Sequence, residues 1–338
     1  MTDIKASYNE DRLCLGERLP LDTPLSVILD ISERCNFKCS YCFRSKEKDE
    51  SWGYAAKNGL MSMETFCQSL QQLASFPQKI QSVSLSGHGE PLCNPDIVGM
   101  VRCLRTSGVT SRIEMHTNAS LLTAEMAKEI ARAGFSRIIV SLQGMDASTY
   151  QRVCGVRLDW DAFYENLRIL HREKDDALRL HIKISEAAFH QGREDLEKEA
   201  FYALFDKIAD TVSVEEVTPL WKNMRIETEK FVNKYGQETG EIICCPILFY
   251  KMWVAPDGEI YPCTGLPAPV SLGNIRDITL YDAWNSPQRR AFLMSHLRAK
   301  RGGHPACEDC FVPVNTVTME KDRIDPYRSE ILRRLEDV

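Results

Sequence analysis

The chain has 338 residues, 43% hydrophobic and 27% charged, with a formal net charge of -6. This length suits one large domain or a main domain with a satellite. The acidic balance, with basic and acidic residues interspersed, offers no footprint for nucleic acid or an anionic membrane as partner. No stretch reaches the roughly 18 uninterrupted apolar residues of a membrane helix. The opening Met1-Thr2-Asp3-Ile4-Lys5 lacks the apolar core of a secretory signal, so a cytoplasmic protein is expected. Thirteen cysteines in a reducing compartment point to metal or redox chemistry, and the odd number argues against a simple disulfide framework. Cys14, Cys67, Cys93, Cys103 and Cys154 have no ligand-like spacing and read as small hydrophobes, Cys67 and Cys103 within helical patterns.

In chain order, residues 1–24 are polar and irregular and read as an arm packed on the neighbouring domain. The run 25–31 is short, rich in branched residues and preceded by Pro24, which predicts a buried strand. It leads into Cys35-Asn36-Phe37-Lys38-Cys39-Ser40-Tyr41-Cys42, three cysteines at CxxxCxxC spacing. Three thiolates on one short loop can hold three irons of a 4Fe-4S cube and leave the fourth open to a further ligand. Residues 44–59 are charged and glycine-containing, a surface loop. Ser62 then offers an N-cap, with Glu64 in the first turn, for a helix to about Ala74 whose core face is Met63, Phe66, Leu70 and Leu73.

Strands are predicted near 81–86, 111–116, 137–142, 179–185 and 211–217, and helices near 95–107, 122–133, 159–173 and 192–209. This alternation predicts an α/β fold with a parallel sheet, a partial (β/α)6 TIM-like barrel short of the eight strands of a complete one. In such barrels the site lies at the C-terminal ends of the strands. There the second strand runs into Ser86-Gly87-His88-Gly89-Glu90-Pro91, the third into His116-Thr117-Asn118, and the fourth into Ser141-Leu142-Gln143-Gly144. Each of these alone reads as a turn and a helix cap. Together, in order behind CxxxCxxC, they resemble the radical S-adenosylmethionine (SAM) superfamily. The resemblance implies a SAM-binding 4Fe-4S cluster on Cys35, Cys39 and Cys42, and SAM contacts from Tyr41, Gly89, Glu90, Pro91, Thr117, Asn118 and Ser141. His88 departs from the family pattern, where glycine often precedes Gly-Glu. With seven histidines and no HxxH or HxxxH pair, His88 and His116 read as loop-orienting groups or as an acid or base facing substrate.

Residues 221–240 read as a linker, and Cys244 and Cys245 come next. Two β-rich runs flank Pro256-Asp257-Gly258, a hairpin signal that brings Cys245 towards Cys263. A helical stretch, 280–300, precedes the Cys307-Glu308-Asp309-Cys310 knuckle, and the charged, helix-capable ending reads as a surface tail. Four thiolates close a metal site, and a zinc ribbon is the alternative, although it ordinarily shows two CxxC knuckles. The pattern resembles the SPASM/twitch extension, in a spacing similar to that of radical SAM 2-deoxy-scyllo-inosamine dehydrogenases. It implies a second, auxiliary 4Fe-4S cluster on Cys245, Cys263, Cys307 and Cys310, with Cys245 preferred over Cys244. The expected organisation is an arm (1–24), a core barrel (25–220), a linker (221–240), an auxiliary-cluster domain (241–315) and a tail (316–338).

The resemblance implies an oxidoreductase that reductively cleaves SAM to a 5′-deoxyadenosyl radical. The radical takes a substrate hydrogen atom, and one electron passes to the auxiliary cluster. The substrate expected is a sugar or cyclitol-type alcohol; a peptide maturase forming a crosslink, thioether or epimer is the alternative. A reducing partner such as flavodoxin or ferredoxin is implied as well. Sulfatase maturation is disfavoured by Thr264, where those enzymes carry an aspartate, and a molybdopterin-type cyclase by its three-cysteine auxiliary cluster.

Overall fold

The computed structural model describes residues 2–6, 12–46, 57–219, 231–299 and 301–337. Its frame is one nine-stranded sheet in the order β1-β7-β6-β5-β4-β3-β2-β8-β9. The six core strands are β2 (Ser26–Leu29), β3 (Ile80–Ser84), β4 (Thr110–Thr117), β5 (Arg137–Leu142), β6 (Arg179–Ser185) and β7 (Thr211–Glu215). All five pairings between them are parallel. The βα alternation and the open, six-unit barrel core agree with the expectation.

Helices α2 (Met63–Leu73), α3 (Ile97–Ser107), α4 (Ala124–Ala131), α6 (Trp160–Glu173) and α7 (Glu194–Phe205) connect them. The helix starts are written in the sequence. Ser62 accepts from the Thr65 N–H, Thr123 from Met126 and Asp159 from Ala162, each cap contributing about 1 kcal/mol. Gly108, at φ +67°, ends α3 in the left-handed conformation that glycine adopts without a Cβ penalty. The expected strands hold within a residue or two at most ends, and α5 (Ala147–Cys154) is an additional helix between β5 and α6.

The two faces of the sheet differ. Val27, Leu29, Val83, Ile113, Val140 and Ile182 are fully buried in the main core with the helices. The alternate positions are polar: Ser84 pairs with Glu114, Glu114 with Arg137, Ser141 with Lys183, and Ser185 with Glu215. With period-2 alternation, one face packs against helices and the other presents charge. A parallel sheet with both faces buried would be apolar on both, so the polar inner face marks the place left for a ligand.

Several expectations need correction or extension. The expected hairpin is present, β8 (Lys251–Val254) with β9 (Ile260–Tyr261), and β8 also pairs in parallel with β2, so the extension continues the core sheet. Its first apolar run begins as a helical turn, α8 (Ile247–Tyr250), because Pro246 opens it where a strand would lose a hydrogen bond. The stretch 280–300 splits into α9 (Leu280–Trp284) and α10 (Pro287–Ala299), the ring of Pro287 being suited to a new helix start rather than a helix interior. The ending is not a surface tail. In α12 (Arg328–Glu336) the i, i+4 pair Ile331 and Leu335 is buried in a second core with Leu15, Leu19, Leu248 and Cys263. Leu15 stands on α1 (Leu15–Arg18), and Asp3–Ile4 forms β1 against β7, so the arm joins both cores. Cys67 and Cys103 lie on α2 and α3 but are exposed, on the faces turned from the core.

The expected surface loop falls largely, and the expected linker partly, outside the described residues. The described end of the linker is tied in: Lys234 N–H donates to Asn315 Oδ1 at 2.8 Å, and Glu216 N–H to the Lys234 carbonyl at 2.9 Å. Asn315 belongs to α11 (Val312–Thr316), directly after the CxxC knuckle. No helix among the described residues is long and apolar enough to cross a membrane.

Candidate functional site

The CxxxCxxC loop leaves the C-terminal end of β2, where the fold class places its chemistry. Its backbone is held independently of its thiols. Ser40 N–H donates to the Val153 carbonyl and Cys42 N–H to the Cys39 carbonyl, both at 2.9 Å, while Phe37 is buried edge-on to Tyr150 at 5.9 Å. Burial, then the neighbouring Glu90 carboxylate and the Cys39 and Cys42 thiols, push Cys35 up to about 12. Iron binding reverses that order, because a coordinating thiol is deprotonated.

The Gly-Glu-Pro loop is pressed against this one. A Cβ on Gly89 would come within 2.4 Å of the carbonyl oxygens of Ser32 and Arg34. On Gly87 it would sit 1.9 Å from Asp30 Cγ, and that carboxyl cannot retreat, since it accepts from the N–H groups of Ser32 and His88. Only glycine lets the two loops meet. Replacing Gly89 by alanine is expected to force backbone apart and cut SAM affinity at least tenfold by equilibrium dialysis. Thermal unfolding should move far less, since the main core is untouched; unchanged SAM affinity would show that the loop contact is not part of the site.

Glu90, one of the expected SAM contacts, is almost fully enclosed. Its Oε1 accepts from Leu92 N–H and the Thr117 hydroxyl, and its Oε2 from Asn118 N–H at 2.6 Å. Of about four lone-pair directions on a carboxylate, these leave one on Oε2. Burial raises its pKa to about 7 against the lowering effect of those donors. Glu90 therefore ties the ends of β3 and β4 together first. Asn118 extends the tie: its Nδ2 donates to Asn36 Oδ1 at 3.0 Å, inside the cysteine loop. Pro91 opens the short turn 91–93, Tyr41 lies against Cys39 and Cys154, and Ser141 is half-buried on the inner face beside Lys183. The expected contact residues thus lie on one loop system at the strand ends.

Sequence reasoning placed Cys154 among the inert cysteines. It is buried, but its Sγ is 3.6 Å from Cys39 Sγ. No spacing signal could reveal this, because only the fold brings the end of α5 to the loop. His88 orients loops. Its Nε2–H donates to the Thr264 carbonyl at 3.1 Å, one residue after Cys263, and its ring meets Trp253 at 4.4 Å. Burial lowers its pKa to about 4, so it is neutral near pH 7. His88 Nδ1 and Trp253 Nε1 are buried with no hydrogen-bond partner among the described residues.

The second cysteine set gathers in the second core. Burial raises Cys245, whose thiol feels Cys310 and then Cys263; Cys263, pushed up to about 12, feels Cys310 and Cys307. Cys244 faces elsewhere: its N–H donates to Asp325 Oδ1 at 2.8 Å, and its thiol sits by Asp325 and Arg328. Among the described residues no three His, Cys, Asp or Glu side chains converge on a single-ion point. The donor chemistry is nevertheless that of iron–sulfur ligation in both places, three thiols at the strand ends and four in the second core.

The comparisons agree with this division. The Radical SAM superfamily model matches residues 29–182, and the SPASM iron–sulfur cluster-binding domain model matches residues 244–311. Radical SAM and SPASM domains are therefore both present. The chain's cofactors are SAM with a 4Fe-4S cluster and, as the SPASM domain implies, an auxiliary iron–sulfur cluster. A GTP 3',8-cyclase from Gloeobacter violaceus is 30% identical over 168 residues, 50% of this chain and 50% of that one. The chain thus spans about half the length of the curated relatives it matches. Among solved structures, BtrN in complex with AdoMet and 2-DOIA aligns with TM-score 0.54 at 16% identity, over 85% of this chain and 92% of that one. SuiB from Streptococcus suis, bound to precursor peptide SuiA, aligns with TM-score 0.60 at 16% identity, over 92% and 77%. At such identities these likenesses speak for the fold.

Proposed function

We propose that the protein is a radical SAM dehydrogenase of a small-molecule alcohol of the sugar or cyclitol kind. In this reading Cys35, Cys39 and Cys42 hold the SAM-binding cluster, and Cys245, Cys263, Cys307 and Cys310 hold a fully ligated auxiliary cluster. When bound, these groups supply a 5′-deoxyadenosyl radical that takes the hydrogen atom and a centre that takes up one electron. The observation that carries the reading is the gathering of four thiols, enough to leave no open iron for substrate, in a core whose α8 runs directly into β8.

Oxidising an alcohol carbon to a carbonyl releases one hydrogen atom, one electron and the hydroxyl proton. His116 is suited to the proton. It stands on β4 with its side chain exposed on the inner face and no hydrogen-bond partner for the ring among the described residues. Desolvation by the surrounding barrel walls, then the cations Lys183 and Lys234, lower its pKa well below the usual imidazole value. The imidazole is therefore neutral, with a free ring nitrogen to accept the proton, and the lowered pKa makes it a relay that passes the proton on rather than a group that keeps it; general acid–base groups contribute roughly 10²–10⁴-fold. Asn118 and Ser141 bound the same space at the strand ends, and an electron donor such as flavodoxin or ferredoxin would reduce the first cluster.

Two other readings have specific support: peptide modification from the fold shared with SuiB, and nucleotide cyclisation from the GTP 3',8-cyclase similarity. One experiment separates them. The reconstituted, reduced enzyme is offered carbon-deuterated cyclitols and sugars, GTP, and precursor peptides encoded nearby. The expected result is deuterium in 5′-deoxyadenosine matched by ketone formation from an alcohol. His116→Gln should lower that turnover about 100-fold while SAM binding stays intact. Deuterium transfer from GTP or a peptide alone would overturn the dehydrogenase reading.

A further inference from the structure

Lys251 opens β8, the strand that pairs with β2 of the core on one side and with β9 on the other. Its register partner on β2 is Ser26, and the alternate residues Met252 and Val254 are fully buried in the main core. With period-2 alternation the lysine therefore stands on the polar inner face. Its ammonium nevertheless lies beside the second cysteine set. Nζ is 5.9 Å from the centre of the Tyr250 ring, and burial, then the Cys245 thiol, raise the Tyr250 pKa. In the hairpin, Trp253 faces Tyr261 and Val254 faces Ile260, a register that directs Lys251 towards Cys263, two residues past Tyr261. The electrostatics agree. Burial holds the Lys251 pKa below the ordinary lysine value, against Glu114 and then the Cys263 and Cys245 thiols, and Lys251 is among the groups that act on Cys263 in return.

An enclosed ammonium ordinarily sits on a carboxylate, because an uncompensated charge away from water costs heavily. Lys251 makes no hydrogen bond or ion pair among the described residues; its one close contact is the Tyr250 ring. Glu114, the carboxylate that acts on it, already faces Arg112 at 4.0 Å. The other cation nearby, Arg12, is paired with Asp322 at 2.7 Å. The counter-charge that Lys251 lacks is what the second cysteine set supplies once it holds iron. Four thiolates around a 4Fe-4S core leave the assembly net negative, an added electron makes it more so, and net charge is one of the quantities that set such a potential.

We propose that Lys251 is a fixed cation for the auxiliary cluster, which raises the cluster's reduction potential and makes it the better acceptor of an electron. It acts through the cluster rather than on substrate. The cluster gains one electron, and no bond forms or breaks at Lys251, which keeps its proton throughout. A unit charge as far as about 10 Å away, at an effective dielectric constant of about 20, shifts a one-electron equilibrium about tenfold. This rests on the proposed reading only in placing a cluster on the second cysteine set.

The test follows a potential without substrate, so failure of the dehydrogenase reading leaves it intact. The reconstituted full chain is poised at a series of potentials and followed by electron paramagnetic resonance. The signal that added SAM alters belongs to the first cluster, and the one it leaves unaltered belongs to the auxiliary cluster. In Lys251→Met the auxiliary midpoint should fall by about 59 mV or more, which is tenfold weaker uptake of one electron. The SAM-sensitive midpoint should move far less. Lys251→Arg should restore most of the difference, and Lys128→Met, on an exposed residue of α4, should move neither midpoint. About eight irons per chain in each protein report that both clusters are held. Should Lys251→Met fail to hold the auxiliary cluster, Lys251→Gln and Lys251→Arg carry the test: loss in the uncharged variants alone supports the proposal, since Lys251→Arg keeps the charge and not the shape. Loss in all three, or an auxiliary midpoint in Lys251→Met that is unmoved or raised, overturns it. Wild-type protein with no SAM-insensitive signal would overturn the placement of the cluster and this proposal with it, a result distinct from an unmoved midpoint.

Discussion

Replacing Cys35, Cys39 and Cys42 together by alanine is expected to reduce 5′-deoxyadenosine formation to the level of reductant and SAM without enzyme. The effect should be that large because the open iron position exists only if three thiolates hold the other three. The loop should survive the change. Its backbone is bonded to Val153 and Cys154, Phe37 is packed on Tyr150, and Asn36 is tied to Asn118, none of which uses a thiol. The far-UV circular dichroism of the variant should match that of wild-type protein stripped of iron, and its iron content should fall by about four per chain. Cleavage of SAM persisting in the folded variant would remove this loop from the chemistry.

The order of strands and helices, the caps at Ser62 and Thr123 and the two cysteine groupings were legible because each is a local signal. Spacing, period and turn chemistry act within a few residues. What escaped was long-range. The parallel pairing of β8 with β2 joins residues more than two hundred positions apart, and no periodicity in either strand announces it. Lys234 sits in a segment that reads as a linker, and it gains its role only when Asn315 and Glu215 meet it. Cys154 looks like any buried cysteine until α5 brings it to Cys39. The charged ending misled for a different reason. Two buried apolar residues, Ile331 and Leu335, suffice to dock a helix rich in arginine, because arginine stems lie along apolar surface while their heads reach carbonyls. Arg334 does this with the Leu19 carbonyl, at 2.8 Å.

The strand-end motif was legible as a set, yet the work of its members was not. Glu90 was expected to contact SAM, and in the fold three of its acceptor directions serve Leu92, Thr117 and Asn118. His88, the departure from the family pattern, links the Gly-Glu-Pro loop to the carbonyl of Thr264, next to Cys263. The two cysteine centres are thereby joined by one buried side chain, and the geometry of one constrains the other.

Removing the second cysteine set should separate the two centres. With Cys245, Cys263, Cys307 and Cys310 changed to alanine, reconstituted protein should hold about four irons per chain where wild type holds about eight. Cleavage of SAM without substrate should continue, since the loop after β2 is intact, whereas substrate oxidation should be lost for want of an electron acceptor. Cys244→Ala should keep both clusters, because that thiol faces Asp325 and Arg328 rather than the other three. Metal-site binding energy is partly folding energy, so unfolding of the second core is the competing explanation. It is separable, because Leu15, Leu19, Ile331 and Leu335 hold that core by apolar packing that uses no thiol. A quadruple variant that keeps its helical circular dichroism and its SAM cleavage while losing substrate oxidation isolates the electron acceptor. Wild-type protein that contains one iron–sulfur cluster and a zinc ion would end the idea, since zinc takes up no electron from a substrate radical.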